Sequence, residues 1–174
     1  MPIYAKKKES ELTPAPEGLW PAVCVDVFDL GVVDTQFGKQ EKIEITWQLE
    51  EVDPKSKRRF QVTQRYTPSL HEKSKLRPML ESWRGRKFTK DEERQFDIEK
   101  LIGACCQLQL IHNIKDEGRV YANVQACVPY PRNVARIAPE NYIRRIDREK
   151  QYEQNPDGDA FDQGEYTNEE YTPF

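Results

Sequence analysis

Three observations predict a mainly β chain: an OB-fold, that is a five-stranded partly open barrel, with a helical insert between strands three and four, followed by a disordered acidic C-terminal tail. Five segments alternate apolar and polar residues with the period of a half-buried strand. A stretch of helical period separates the third from the fourth, which is the order of elements in that barrel. The last 24 residues hold seven acids, no Lys or Arg, and no Val, Ile, Leu or Met, too little apolar surface to offset the entropy of ordering.

Residues 1–16 are polar and include Pro2, Pro14 and Pro16, so they read as a flexible arm. From Gly18 the first strand places Val23, Val25 and Val27 on one face and Asp26 and Phe28 on the other, with a break at Asp29-Leu30-Gly31. The second strand has Ile43, Ile45, Trp47 and Leu49 alternating with polar residues, and Asp53-Pro54 ends it. In the third, Phe60, Val62 and Tyr66 share a face against Gln61, Thr63 and Arg65. Ser69 with Glu72, and Thr89 with Glu92, make capping-box patterns that open two helical pieces. The first carries Leu76, Met79, Leu80 and Trp83, with a restart at Pro78 in a first-turn position and a stop at Gly85. The second carries Phe96, Ile98, Leu101 and Ile102 and stops at Gly103. Ala104, Cys106, Leu108 and Leu110 form the inner side of the fourth strand. A turn around Asp116-Glu117-Gly118 leads to the fifth, where Val120, Ala122, Val124, Ala126 and Val128 alternate with Tyr121, Asn123, Gln125 and Cys127. The division is an arm over 1–16, a barrel over 17–130, an extension over 131–150 and a tail over 151–174. In the extension, a short helix from Pro139 to Lys150 would put Tyr142, Ile143 and Ile146 on one side.

Composition narrows the function classes. Apolar residues make up 37% and charged residues 33% of the chain, and no run is long and apolar enough for a transmembrane helix. Lys6, Lys7 and Lys8 precede no apolar stretch, so the start does not read as a secretory signal, and the expected location is the cytoplasm. Cys24, Cys105, Cys106 and Cys127 include no C-x₂-C pair, and His71 and His112 stand far apart. This spacing predicts buried reduced thiols and no metal site. A phosphate-cradling loop fails because Val33 stands where the first glycine belongs and Gln40 follows Gly38-Lys39. Nucleophile-elbow and zinc-deaminase patterns do not occur. Asp53-Pro54-Lys55 is the one fragment suggestive of a nuclease, and it reads as a turn. No enzymatic activity and no cofactor are expected.

The positive signal is charge with aromatics. The net charge of −3 divides into −7 over 151–174 and +4 over the rest. Residues 55–90 hold twelve Lys and Arg against two acids, a local balance of +10. These cations are Lys55, Lys57, Arg58, Arg59, Arg65, Lys73, Lys75, Arg77, Arg84, Arg86, Lys87 and Lys90. Cations tracking phosphates beside aromatic faces that stack on bases are how single-stranded nucleic acid is held, and strands two and three with their loops form the usual face of this barrel. Lys57, Arg58, Arg59, Arg65, Lys73, Lys75, Arg77, Arg84, Arg86 and Lys87 are therefore the candidate phosphate contacts. Tyr66 and Phe37 are the candidate stacking rings. Trp47, Trp83 and Phe60 read as core.

The sequence ends Asn168-Glu169-Glu170-Tyr171-Thr172-Pro173-Phe174. This segment resembles the acidic, Pro-Phe-terminated tip of bacterial and phage single-stranded DNA-binding proteins, with Thr172 in place of the usual Ile and Glu169-Glu170-Tyr171 in place of the Asp run. The long helical insert over 69–103 is more similar to a phage version. The resemblance implies a barrel that coats single-stranded DNA and a tail, here Glu169, Glu170, Tyr171, Thr172, Pro173 and Phe174, that recruits replication, recombination and repair enzymes. A homo-oligomer is compatible with it. The reading from another class is a protein-binding adaptor whose barrel does not touch nucleic acid.

Overall fold

The computed structural model describes residues 13–115 and 118–154. Most of the arm, the tip of the turn at Asp116-Glu117 and residues 155–174 of the tail lie outside the described residues. Five antiparallel strands form one sheet in the order β3-β2-β1-β4-β5: β1 Gly18–Thr35, β2 Gly38–Val52, β3 Arg59–Tyr66, β4 Cys105–Ile114 and β5 Val120–Pro129. The edges β3 and β5 come within 8 Å at Cα without hydrogen-bonded pairing, so the sheet is curled but not closed. The mainly β class and the helical segment between the third and fourth strands are as expected.

Alternation builds β2 without interruption. Ile43, Ile45, Trp47 and Leu49 point into the main core, with Phe60, Val62 and Tyr66 of β3 beside them. In β1 the alternation is interrupted by bulges. Cys24 pairs with Trp47 and Asp26 with Thr46, which leaves Val25 unpaired; Leu30 is skipped in the same way between Asp29 and Gly31. A bulge inserts one residue and so switches which parity faces inward. Ala22, Cys24 and Val27 enter the main core, whereas Val23 and Val25 lie on the other side, in a second cluster with Ile137. The single face expected for Val23, Val25 and Val27 is therefore split. The break expected at Asp29-Leu30-Gly31 is one of these bulges, and the strand continues past it. A third bulge, at Gln125, turns Cys127 inward opposite Leu108.

The insert begins later than its first capping pattern. Ser69 Oγ accepts from the His71 amide at 3.2 Å, and Ser74 Oγ donates to the Ser69 carbonyl at 2.6 Å, so these side chains close a turn instead of a helix. Helix α1 spans Leu76–Arg84 with Pro78 in its first turn and Gly85 left-handed at φ 71° after it. Its Leu76, Leu80 and Trp83 are buried, and Trp83 lies 6.0 Å from Trp47 between ring centroids. Thr89 and Glu92 do form a capping box, opening the short helix α2, Lys90–Arg94. A 3-10 turn at Ile98–Leu101 follows.

After β5 the chain does not leave the body. Residues 137–145 run as a strap over the outward face of β1, β2 and β3, a face that alternation alone would leave wet. Asp26, 2% exposed, accepts from the Tyr142 hydroxyl at 2.9 Å, the Arg145 amide at 2.8 Å and Arg144 Nε at 3.3 Å. Gln48, also 2% exposed, donates to the Glu140 carbonyl at 2.6 Å and accepts from the Glu140 amide at 2.8 Å. Arg59 donates to the Ala138 carbonyl, and Glu44 meets Arg145. Helix α3 begins only at Arg145 and runs to Gln154, through the first residues of the expected tail, helped by an Arg145–Glu149 pair one turn apart. Tyr142 precedes it and packs on the second cluster, while Ile143 and Ile146 are exposed, so the expected apolar helix side does not form.

Buried charge with three donors is strongly destabilising to break. Asp26→Ala is expected to lower the unfolding free energy by about 3 kcal/mol, and Tyr142→Phe by about 1 kcal/mol. Urea midpoints of the full chain check both; an unchanged midpoint for Asp26→Ala would show that the strap is not held there.

Candidate nucleic-acid interface

Charge counted along the sequence overstates the free basic surface. Arg77 is engaged by Glu81 at 3.1 Å, by Glu93 and by the Leu70 carbonyl. Arg84 pairs with Glu92 and lies over the Phe88 ring at 4.7 Å. Arg86 pairs with Glu92 at 3.0 Å, and Lys87 with Glu81 at 3.2 Å. On β3, Arg59 meets Glu140 at 2.9 Å and Arg65 meets Glu44 at 3.3 Å. Arg59 belongs to the strap contacts, and both arginines lie largely out of solvent. The acids that neutralise these groups, Glu44, Glu92, Glu93 and Glu140, all sit outside the 55–90 window, apart from Glu81.

Of the other cations in that window, Lys90 opens α2, and the rest lie at two ends of β2. Lys55, Lys57 and Arg58 occupy the turn into β3, where Asp53 accepts from the Lys57 amide at 2.8 Å and from the Lys55 amide at 2.9 Å, and Lys57 is left-handed at φ 62°. At the opposite end stand Lys73, beside the Ser69–Ser74 turn, and Lys75, just before α1. Lys42 joins them there, because its Nζ donates to Thr67 Oγ1 at 2.9 Å across the β2–β3 ladder. Partial burial, followed by the positive charges of Lys75 and Arg65, pulls the Lys42 ammonium below the ordinary lysine range. An anion arriving at that end would relieve this repulsion.

The two aromatic candidates separate. Tyr66 is 7% exposed, paired with Ile43 and packed in the main core, and burial raises its phenol well above the ordinary value. A ring so enclosed cannot lie on a base, and its parity with Phe60 and Val62 accounts for the burial. Phe37, by contrast, stands at the tip of the β1–β2 hairpin with its side chain 77% exposed. Thr35 Oγ1 holds the tip by accepting the Phe37 amide at 3.2 Å and donating to the Gly38 carbonyl at 2.7 Å. Lys39 stands opposite Asp34 just below it, and Lys42 lies three residues, about 10 Å, further along the strand. Asp34 and Glu41 share the arm, so it is mixed in charge. The sequence patterns do not single out Lys39 or Lys42, because placing Lys42 beside Lys75 needs the β2–β3 register.

The geometry thus offers an exposed ring on a hairpin with a cation cluster at its base. It does not offer the outer sheet face, which is closed by the strap and carries the carboxylates of Asp26 and Glu44. Glu169, Glu170, Tyr171, Thr172, Pro173 and Phe174 lie outside the described residues. Among the described residues no three His, Cys, Asp or Glu side chains are grouped to hold a metal ion, and no helix is long and apolar enough to cross a membrane.

Two expected outcomes follow from these placements. Tyr66→Ala should cost about 3 kcal/mol of stability as a large core truncation, whereas Phe37→Ala should stay within about 0.5 kcal/mol of the parent; thermal and urea unfolding distinguish them. The second concerns Glu92, whose carboxyl is held at about 2, chiefly by the Arg84 hydrogen bond and then by Arg86 and Thr89 against the cost of burial. A depressed folded pKa contributes stability that is complete above the unfolded carboxyl value, about 4.3, and is lost as pH falls towards about 2. Glu92→Gln should therefore flatten the decline in melting temperature across that window, and an unchanged profile would contradict the pairing. No protein-family model matches the chain, and no curated protein matches it.

Proposed function

We propose that this chain is a non-catalytic, sequence-tolerant single-stranded DNA-binding protein of replication, recombination and repair, of the phage type, acting in the cytoplasm of the host cell. Its sheet is read as an OB-type barrel, a reading supported by β1 pairing on both sides and by the approach of β3 to β5. The observation that carries the function is Phe37, an almost fully exposed ring on a hairpin whose base holds Lys42 and Lys75. Bases stack on the ring, the lysines follow the phosphates, and neither contact reads sequence. The interface is placed at this hairpin end and not on the face of strands two and three, because the strap covers that face and its arginines are engaged by Asp26, Glu44 and Glu140. The tail segment Glu169–Phe174 recruits partner enzymes, with its acids steering towards a basic surface and its rings filling a small apolar pocket.

A second reading is favoured by the closed face and the paired arginines: a protein-binding adaptor whose barrel does not bind nucleic acid. Titration of fluorescent oligo-dT with the full chain at two salt concentrations separates the two. Phosphate-driven binding weakens steeply with salt. Replacing Lys42 and Lys75 by Ala should flatten the slope by about 0.7 for each phosphate that is no longer neutralised. Phe37→Ala should cost about 1–3 kcal/mol of affinity, and Phe37→Trp should retain it. No binding at low salt, with the fold intact by circular dichroism, would leave the adaptor.

A further inference from the structure

Away from the hairpin, α1, the 3-10 turn and the chain just after β5 enclose an open cavity of about 460 Å³. Its walls follow from local sequence. Helix α1 buries Leu80 and Trp83, and the Trp83 indole donates to the Cys105 carbonyl at 3.0 Å. Pro129 and Pro131 end β5, because neither can donate to a ladder. Pro129 lies so close to the end of α1 that a Cβ at Gly85 would stand 3.3 Å from its Cγ. The chain then turns, and the Tyr130 hydroxyl donates to the Ala135 carbonyl at 2.7 Å, which sets Arg132 and Arg136 on the rim. Phe96, Leu101 and Val134 complete an apolar lining. Unlike the arginines of the insert, Arg132 and Arg136 are exposed and meet no acid among the described residues.

We infer that this cavity binds a single nucleotide, with the base in the apolar hollow and the phosphate between Arg132 and Arg136. Three features select this ligand. The volume lies in the range of pockets that enclose small molecules, and one base with its sugar fits it. Two guanidiniums without carboxylate partners suit a phosphate, whose oxygens accept their N–H groups in pairs and which carries close to two charges at neutral pH when it is terminal. Phe96 brings a ring to the lining, and a planar base covers aromatic and aliphatic surface with few rotatable bonds to fix. The hydrogen bonds of Trp83 and Tyr130 hold the walls in place beforehand, so little ordering accompanies binding. The site is distinct from the hairpin. Cys105 in its wall stands opposite Val23, roughly 35–40 Å along β1 from the hairpin turn after Thr35. The inference therefore stands or falls independently of strand binding at Phe37.

The test is an NMR titration of the full chain with dTMP, thymidine and inorganic phosphate, read at the backbone amides and the Trp83 indole. With dTMP, the Trp83 indole and the amides of Leu101, Arg132 and Arg136 should shift and saturate, while Phe37 and Lys42 stay in place. Thymidine and phosphate should each bind at least about tenfold more weakly, because each lacks one half of the recognised group. Arg132→Glu/Arg136→Glu should weaken dTMP at least about tenfold, and unchanged core resonances will show that the fold is retained. Oligo-dT added to the Phe37→Ala/Lys42→Ala chain separates the two sources of a nucleotide. Cavity shifts with dTMP and oligo-dT alike assign the unit within a strand as well, and shifts with dTMP alone assign the free nucleotide. Cavity shifts with oligo-dT alone overturn a one-nucleotide site. No cavity shift at millimolar dTMP, shifts confined to Phe37 and Lys42, or undiminished affinity in the arginine variant also overturn it. Thymidine or phosphate binding as tightly as dTMP does the same, and phenylacetate doing so overturns it in favour of an aromatic carboxylate.

Discussion

The Asp26 carboxylate is the constraint on which the arrangement of this molecule depends. It stands on β1 beside the Val25 bulge, which turns Val27 inward and sets Asp26 on the outer face. A charge so buried persists only if its oxygens are met. The donors come from one short segment, the Tyr142 hydroxyl, Arg144 and the Arg145 amide. Satisfying Asp26 therefore fixes the path of the strap, the start of α3, and the covering of the outer face of the sheet. The strap is held by polar contacts and Ile137 more than by an apolar face, since Ile143 and Ile146 remain in solvent.

Closing that face changes which parts of the sheet a ligand can reach. With Arg59 tied to Ala138 and Glu140, and Arg65 to Glu44, the cations of β3 hold the molecule together and do not form an open track for phosphates. What projects from the body is the β1–β2 hairpin with Phe37 and the cluster at its base. The insert shows the same economy of charge. Arg77, Arg84 and Arg86 bind α2 to α1 through Glu81, Glu92 and Glu93, so a stretch that is basic in sequence is close to balanced in space.

Legibility followed the range of the interactions involved. The uninterrupted alternation of β2, the capping box at Thr89 and the stop at Gly85 are local features, and each stood in the sequence as it stands in the fold. Bulges are not local: Val25 and Gln125 are skipped only because of what pairs on the facing strand, so Val23, Val25 and Cys127 changed sides without any composition signal. Tyr66 was a legible error, because its parity with Phe60 and Val62 already pointed inward. The strap was illegible, since its contacts join residues about 80 to 120 positions apart. For the same reason, the neutralising partners of the arginines could not be found by counting charge within a window.

On the proposed function, single-stranded DNA meets the protein at the hairpin end while the strap stays closed. Photo-crosslinking of the full chain to oligo-dT, with the adducts located by mass spectrometry, tests it most directly. The account predicts adducts on the hairpin peptide containing Phe37, with none on residues 137–145. Adducts on the strap or on the β3 face beneath it, or no adduct at low salt, would contradict it.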